Sequence, residues 1–148
     1  MPDFSNILSK DSVLLEVTAS GKDEVFKEAA ACIERQHGLE SKETLQSLVD
    51  REELGSTGLG HGVAIPHGRI KGLKIPVGVF MRLAAPVAFE SPDGEPVSLV
   101  FVLLVPAQAN ETHLSILSQL AERFCNADFR QMLSSTSEPD AVFKLLVN

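Results

Sequence analysis

The chain has 148 residues, of which 44% are hydrophobic and 22% charged, a balance typical of one folded domain rather than a disordered segment. Its formal net charge of -7 argues against nucleic-acid binding, because Lys and Arg supply much of the affinity for the phosphate backbone. The N-terminal residues do not resemble a secretory signal, and the longest apolar run, 97–105, is far too short to span a bilayer. We therefore expect a single cytoplasmic domain over residues 1–148, without membrane insertion.

The first third of the chain is predicted to form one strand and two helices. Val13–Val17 has strand character, and residues 20–37 show helical periodicity that Gly38 ends. Ser41 is placed as the N-cap of a second helix, which continues to about Leu54.

Two further strands and two helices are predicted after residue 76. The segments 77–83 and 97–105 look like strands, and the second is a continuous apolar run typical of a strand buried on both faces. Asn110 is expected to cap a helix that ends near Phe124. A last helix carries the apolar residues Ala141, Val142, Leu145 and Leu146. The order of elements predicts an α/β domain in which helices flank a central β-sheet.

The two cysteines lie in apolar patterns of helical spacing. Neither Cys32 nor Cys125 has a metal-type spacing to other ligands, so we expect both to be small core residues. This usage is typical of a protein from a reducing compartment.

A glycine-dense stretch, Gly55-Ser-Thr-Gly-Leu-Gly-His-Gly62, could bring backbone N–H groups close to an anion. The nucleotide-binding patterns do not fit it. His61-Gly62 stands where a Walker A loop needs Lys and Ser or Thr, and the glycine spacing misses the dinucleotide pattern. The candidate phosphate-binding residues of this loop are Ser56, Thr57, Gly58, Gly60 and His61.

His67 follows the loop within a Pro-His-Gly frame. Pro66 fixes its own φ and forces Ile65 into extended geometry, while Gly68 permits an unusual backbone turn, so the frame can hold one imidazole in a defined direction. A neutral imidazole is a competent nucleophile near neutral pH, because its reference pKa is about 6.5. The alternative is a histidine that merely ends a strand.

Two other reaction classes could use these side chains. His61, His67 and His113 could ligate zinc, but they lack the i, i+4 helix spacing, and no carboxylate or thiolate is placed to complete the set. A serine hydrolase built on Ser56 lacks the G-x-S-x-G elbow. A histidine-ligated metal hydrolase stays open as the alternative from another functional class.

Residues 52–68 combine Glu52, a small-residue loop and an apolar-Ala-apolar-Pro-His-Gly core. This run resembles the phosphorylation-site signature of enzyme IIA proteins of the fructose and mannitol class of the bacterial phosphotransferase system. The block Leu103-Leu-Val-Pro-Ala107, followed by Glu111-Thr-His113-Leu114, is similar to the segment that brings this family's second active-site histidine. The stretch 51–57 and the lack of a fused domain are most similar to the stand-alone nitrogen-related enzyme IIA.

This resemblance implies a mixed β-sheet covered by helices, and it implies a role for several residues. His67 would accept a phosphoryl group through Nε2 from an HPr-type donor, with His113 beside it in support and Arg51 next to the phosphoryl group. Loop N–H groups would help to stabilise the anion in transfer. Neither a metal nor an organic cofactor is implied. The phosphoryl group would then set the binding of regulated cytoplasmic proteins, or pass to a sugar-specific enzyme IIB domain.

Helical counting gives an independent expectation for His113. A cap at Asn110 places His113 in the first turn of the helix, where unpaired N–H groups favour an anion. It shares a helix face with Leu117 and Leu120 and should point towards the sheet. A buried histidine satisfied by a backbone carbonyl is the alternative to a role in transfer.

Overall fold

A computed structural model describes residues 4–108 and 111–148, and for residues 112–114 it gives the backbone but not the side chains. Two short 3-10 helices, Phe4–Asn6 and Lys10–Ser12, open the described chain. The strands and helices that follow are β1 (Val13–Val17), α1 (Lys22–His37), α2 (Ser41–Glu53), β2 (Gly58–Gly60), β3 (Val63–Ala64), β4 (His67–Ile70), β5 (Val77–Val87), β6 (Val97–Pro106), α3 (Glu111–Phe124), α4 (Ala127–Ser135) and α5 (Pro139–Val147).

Within the described chain, the strands form one six-stranded sheet in the order β1-β5-β6-β3-β2, with β4 also paired to β6. β5 and β6 are antiparallel, whereas β1 runs parallel to β5, and β3 and β4 run parallel to β6. The sheet is therefore mixed, and β6 lies at its centre.

The central strand explains why helices cover both faces of the sheet. The odd-numbered residues of β6 from Leu99 to Val105 are buried against α3, α4 and α5, while the even-numbered residues from Val100 to Leu104 are buried with α1 and α2. Side chains alternate along a strand, so a continuous apolar run serves two cores at once. The predicted α/β fold, a central mixed sheet flanked by helices, is confirmed.

β3 and β4 act as two pieces of one strand beside β6. Ala64 lies opposite Val100 and His67 lies opposite Leu103, so the register is kept across the interruption at Ile65 and Pro66. Pro66 has no N–H to donate, but its carbonyl accepts from the N–H of Leu103 at 2.9 Å. His67 therefore begins a strand that is anchored to the centre of the sheet.

The end of α1 was predicted at Gly38 and the N-cap of α2 at Ser41, and only the first prediction is confirmed. Gly38 ends α1 in the left-handed conformation, as predicted, and its N–H donates to the carbonyl of Glu34. The N-cap of α2 is Glu40 rather than Ser41, so that prediction is wrong by one residue. The N–H of Ser41 donates to the Glu34 carboxylate at 3.3 Å, so a side chain of the preceding helix provides the acceptor.

Two features near the C-terminus also differ from expectation. Cys32 is buried as predicted, but Cys125 is exposed because it follows the end of α3 instead of lying within its apolar face. The helix α4 was not predicted, although Asn126 caps it by accepting the N–H of Phe129 at 3.0 Å. Among the described residues, no helix is both long and apolar enough to cross a membrane.

Candidate functional site

The imidazole of His67 is held at both of its nitrogens. Nδ1 lies 3.0 Å from the carbonyl oxygen of Ile65, and Nε2 lies 3.2 Å from Nε of Arg51. A carbonyl can only accept a hydrogen bond and a guanidinium N–H can only donate one, so Nδ1 carries the proton and Nε2 carries the lone pair. Nε2 is therefore the ring nitrogen that could act as a nucleophile.

The surroundings of His67 also favour its neutral form. Burial lowers the pKa of His67 below its ordinary value, and the positive charge of Arg51 acts in the same direction. The hydrogen bond to Ile65 and the negative charge of Glu52 raise the pKa of His67, but the net direction remains downward. At neutral pH the ring therefore keeps the lone pair that a nucleophile needs.

Arg51 reaches His67 from the last turn of α2. Its Nη1 donates to the carbonyl of Gly55 at 2.9 Å, just beyond the end of that helix. The guanidinium thus joins the helix end to the imidazole, and its positive charge lies beside any group that Nε2 would acquire. A planar cation with several N–H donors is well suited to the oxygens of a phosphoryl group.

The loop after α2 is fixed by hydrogen bonds within the protein. The N–H of Thr57 donates to the carboxylate of Glu52 at 3.0 Å, and its Oγ1 donates to the same carboxylate at 2.6 Å. Oγ of Ser56 donates to the carbonyl of Phe89 at 2.5 Å and accepts the N–H of Gly58 at 3.1 Å. The N–H groups of Thr57 and Gly58 are therefore already paired, unlike the free N–H groups that the sequence suggested.

The glycine-rich stretch divides into two parts with different locations. Ser56, Thr57 and Gly58 line a cavity of about 280 Å³ together with Arg51 and His67. Neither Gly60 nor His61 lines this cavity or the larger one described below.

Gly60 ends β2, and His61 lies in the turn that joins β2 to β3. His61 and Gly62 have φ values of 57° and 80°, as the two central residues of a hairpin turn require. The N–H of His61 donates to the carboxylate of Asp93 at 2.9 Å, and its side chain is exposed. The structure therefore does not bring His61 to His67.

His67 also lines a larger cavity of about 630 Å³ between α2, β4 and α3. Leu54 lines it and is 84% exposed, while Leu117 lines both cavities. Sequence reasoning did not select these two residues, because an isolated leucine at a helix end or on a helix face is an ordinary core signal. Together they add apolar surface to the cavity that His67 lines.

Gly68 has a role that differs from the one expected. It does not have a positive φ, so no unusual turn depends on it. A Cβ at this position would lie 2.2 Å from Oγ of Ser47 on α2 and 3.3 Å from that residue's backbone carbon. Glycine is needed because α2 packs closely against β4, and this contact brings the helix that carries Arg51 next to His67.

The predictions for His113 and for the N-cap of α3 concern atoms outside the described residues. The backbone of α3 includes position 113, one helical turn before Leu117, but the side chain of His113 and residue Asn110 lie outside the described residues. The inward orientation of His113 and the cap therefore stay predictions.

No group of three His, Cys, Asp or Glu side chains that could hold a metal is present in the described parts of the chain. At His67 the electrostatics disfavour a cation in any case. The Arg51 guanidinium already faces Nε2, the nitrogen through which this tautomer would bind a metal.

The chain is similar to a family of known proteins over almost its whole length. The family profile described as "Phosphoenolpyruvate-dependent sugar phosphotransferase system, EIIA 2" matches residues 6–148. A "Nitrogen regulatory protein" of Pseudomonas aeruginosa is 39% identical over 146 residues, which cover 98% of this chain and 95% of the relative.

Two crystal structures agree with this similarity. That of nitrogen regulatory protein IIA-Ntr from Neisseria meningitidis superposes with a TM-score of 0.92 and 43% identity, covering 97% of this chain and 98% of the other. That of IIA mannitol from Escherichia coli superposes with a TM-score of 0.78 and 25% identity, covering 93% and 97%.

Proposed function

The chain belongs to the EIIA 2 family of the phosphoenolpyruvate-dependent sugar phosphotransferase system, and we propose that it carries the phosphoryl group on Nε2 of His67. The observation that supports this assignment is the pair of hydrogen bonds that leaves the lone pair on Nε2. His67 lines two cavities, through which a donor could reach that atom.

The proposed reaction takes place in the cytoplasm with an HPr-type phosphohistidine donor. The lone pair of His67 Nε2 attacks phosphorus, a new N–P bond forms, and the electron pair of the broken N–P bond returns to the donor imidazole. The proton on Nδ1 stays in its hydrogen bond to Ile65, so this nucleophile needs no base. Arg51 turns its N–H groups from Nε2 to the phosphoryl oxygens, where positive charge stabilises the transferring anion.

We further propose that the phosphorylated state regulates cytoplasmic proteins in nitrogen-related signalling. Two proteins named for nitrogen regulation are 39% and 43% identical to this chain, against 25% for IIA mannitol. A regulatory output requires only that a target bind the two states of His67 with different affinity. Relay to a sugar-specific IIB domain is the alternative output, and the mannitol protein keeps it open.

Acceptance of the phosphoryl group is tested with isolated, phosphorylated HPr-type donor and peptide mapping by mass spectrometry under conditions that preserve phosphohistidine. We expect one acid-labile phosphoryl group on His67, none in His67→Ala, and full labelling in His37→Ala, whose histidine lies at the exposed end of α1. Full labelling of His67→Ala would refute the assignment. A requirement for bound zinc, shown by loss of transfer in chelator, would favour the metal-hydrolase alternative.

The output is tested with the same two states of the protein. Binding partners from the cytoplasm of the source organism are compared on the phosphorylated wild type and on His67→Ala. We expect at least one partner whose affinity differs between the two states. Stoichiometric transfer to a sugar IIB domain, with loss of uptake of that sugar on deletion, would instead support the relay.

A further inference from the structure

Glu52 is a buried carboxylate directly after Arg51 in α2. Only 6% of its side chain is exposed, and a charge buried to this extent is costly unless it is paired. Nζ of Lys22, at the first residue of α1, lies 3.0 Å from its Oε2. The same Nζ lies 5.2 Å from the ring centroid of Phe89, so the cation is held on more than one side.

The carboxylate also accepts two hydrogen bonds from Thr57. Its Oε1 accepts Oγ1–H of Thr57 at 2.6 Å, and its Oε2 accepts the backbone N–H of Thr57 at 3.0 Å. Thr57 is itself buried. Glu52 therefore fixes both the side chain and the backbone of this loop residue, through charge-assisted hydrogen bonds that are stronger than neutral ones.

Two more hydrogen bonds connect Thr57 to the nucleophile. The carbonyl of Thr57 accepts the N–H of Ile65 at 3.1 Å. The carbonyl of Ile65 accepts Nδ1–H of His67 at 3.0 Å. The position of the acceptor that selects the His67 tautomer thus depends on Thr57, and the position of Thr57 depends on Glu52.

We propose that Glu52, paired with Lys22, is a positioning residue for His67. Its carboxylate holds Thr57, so that the Ile65 carbonyl keeps the proton on Nδ1 and the lone pair for phosphoryl transfer stays on Nε2. Glu52 positions the ring through these residues and does not touch the phosphoryl group, while its charge separately raises the pKa of His67. This role rests on the proposed function for its effect on the transfer rate, but its effect on the imidazole exists without any donor.

The test measures the imidazole and the reaction separately. The ¹⁵N chemical shifts of the His67 ring report its tautomer in the unphosphorylated protein, and single-turnover transfer from an HPr-type donor reports its reactivity. We expect Glu52→Ala to raise the fraction of the Nε2–H tautomer and to slow transfer about 10- to 100-fold, the scale of a misplaced reacting group. Glu52→Gln, which keeps an acceptor oxygen for Thr57, should recover part of both.

Conservative pairs separate positioning from general stability. Thr57→Val removes one donor to Glu52 and should shift the tautomer in the direction of Glu52→Ala, whereas Thr57→Ser keeps the hydroxyl and should behave as wild type. Glu53→Ala removes the neighbouring, exposed carboxylate of the same helix and should change neither quantity. If Glu52→Ala does not fold, Glu52→Gln and Thr57→Val decide the test.

The result that would overturn the proposal is a wild-type tautomer and wild-type transfer rate in every folded variant of Glu52 and Thr57. Failure of the proposed function looks different. In that case the wild-type protein accepts no phosphoryl group on His67, while the ¹⁵N shifts of its unphosphorylated ring still respond to Glu52.

Discussion

Nε–H of Arg51 donates to Nε2 of His67 over 3.2 Å, so a cation faces the lone pair that we propose to attack phosphorus. Before transfer this contact lowers the pKa of His67, together with the larger effect of burial. After transfer, we propose, the same N–H groups bind the phosphoryl oxygens. In this proposal one side chain favours the neutral imidazole before transfer and stabilises the anion afterwards.

Removal of Arg51 should raise the pKa of His67 and lower the rate of phosphoryl transfer. In Arg51→Ala we expect the pKa of His67 to rise, because a nearby positive charge is lost, and phosphoryl transfer to slow about 10- to 1,000-fold, because a preorganised donor is lost. An NMR titration of His67 and single-turnover transfer measure them. Arg35→Ala, which removes an exposed cation from α1, should change neither. A slower transfer with an unchanged or lower pKa of His67 would contradict this account.

The pH dependence of transfer follows from the lowered pKa of His67. Because burial favours the neutral ring, the acceptor limb of the pH–rate profile should have its midpoint below about 6.5, the ordinary pKa of histidine. Stopped-flow transfer at several pH values, with the donor titrated independently, measures this limb. An acceptor limb with its midpoint at or above pH 6.5 would show that the pKa of His67 is not lowered.

The same shift couples His67 to folding stability. The unfolded chain binds a proton on this ring at a higher pH than the folded chain does, so the stability contribution is present above the unfolded pKa and is lost as pH falls through the folded pKa. Denaturant unfolding of wild type and His67→Gln should therefore show a stability difference that moves against the wild type as the solution is acidified below about pH 6.5. A difference independent of pH would contradict the lowered pKa.

Close packing of α2 on β4 makes a separate prediction about stability. Gly68→Ala places a methyl group 2.2 Å from Oγ of Ser47, and overpacking of this kind costs about 1 to 3 kcal/mol. Removing the hydroxyl in Ser47→Ala should reduce that cost, so a double-mutant cycle should show favourable coupling between the two substitutions. Additive losses in denaturant unfolding would mean that the two residues are not in contact.

The parts of the fold with strong local signals could be predicted from the sequence. The continuous apolar run of β6 predicted a strand buried on both faces, and Gly38 predicted the end of α1. The one-residue error at Ser41 arose because the acceptor for its N–H comes from Glu34, a residue of another helix. Cys125 was misplaced because the helix ends one residue before it.

The sequence identified His67 as the reactive residue of the candidate site, but it did not predict the hydrogen bonds of the loop around it. The Pro-His-Gly frame selected His67, but the pairing of the loop N–H groups depends on Glu52 and on the remote carbonyl of Phe89. Tertiary partners of this kind decide whether the N–H groups of a glycine-rich loop can bind an anion or are already paired within the protein. Such partners cannot be recognised from the local sequence. His61 shows the same limit, because the hairpin turn that directs it away from His67 uses the very glycines that suggested a phosphate loop.

The two possible roles of His113 predict different effects of the same substitution. If it supports transfer, His113→Ala should slow phosphorylation of His67 about 10- to 1,000-fold while the protein remains folded. If it is a structural histidine, the substitution should lower the free energy of unfolding by about 1 to 3 kcal/mol and leave the transfer rate of the folded protein unchanged. Thermal unfolding and single-turnover transfer on one preparation distinguish these results.

The most direct test of the central claim is the identity of the nitrogen that carries phosphorus. The protein, labelled with ¹⁵N in its histidines, is phosphorylated by an HPr-type donor and examined by NMR for ¹⁵N–³¹P coupling. Because Nδ1 of His67 donates to Ile65 and Nε2 holds the lone pair, we predict that phosphorus is bonded to Nε2 of His67. Phosphorus on Nδ1 of that ring, or on any other residue, would contradict the account.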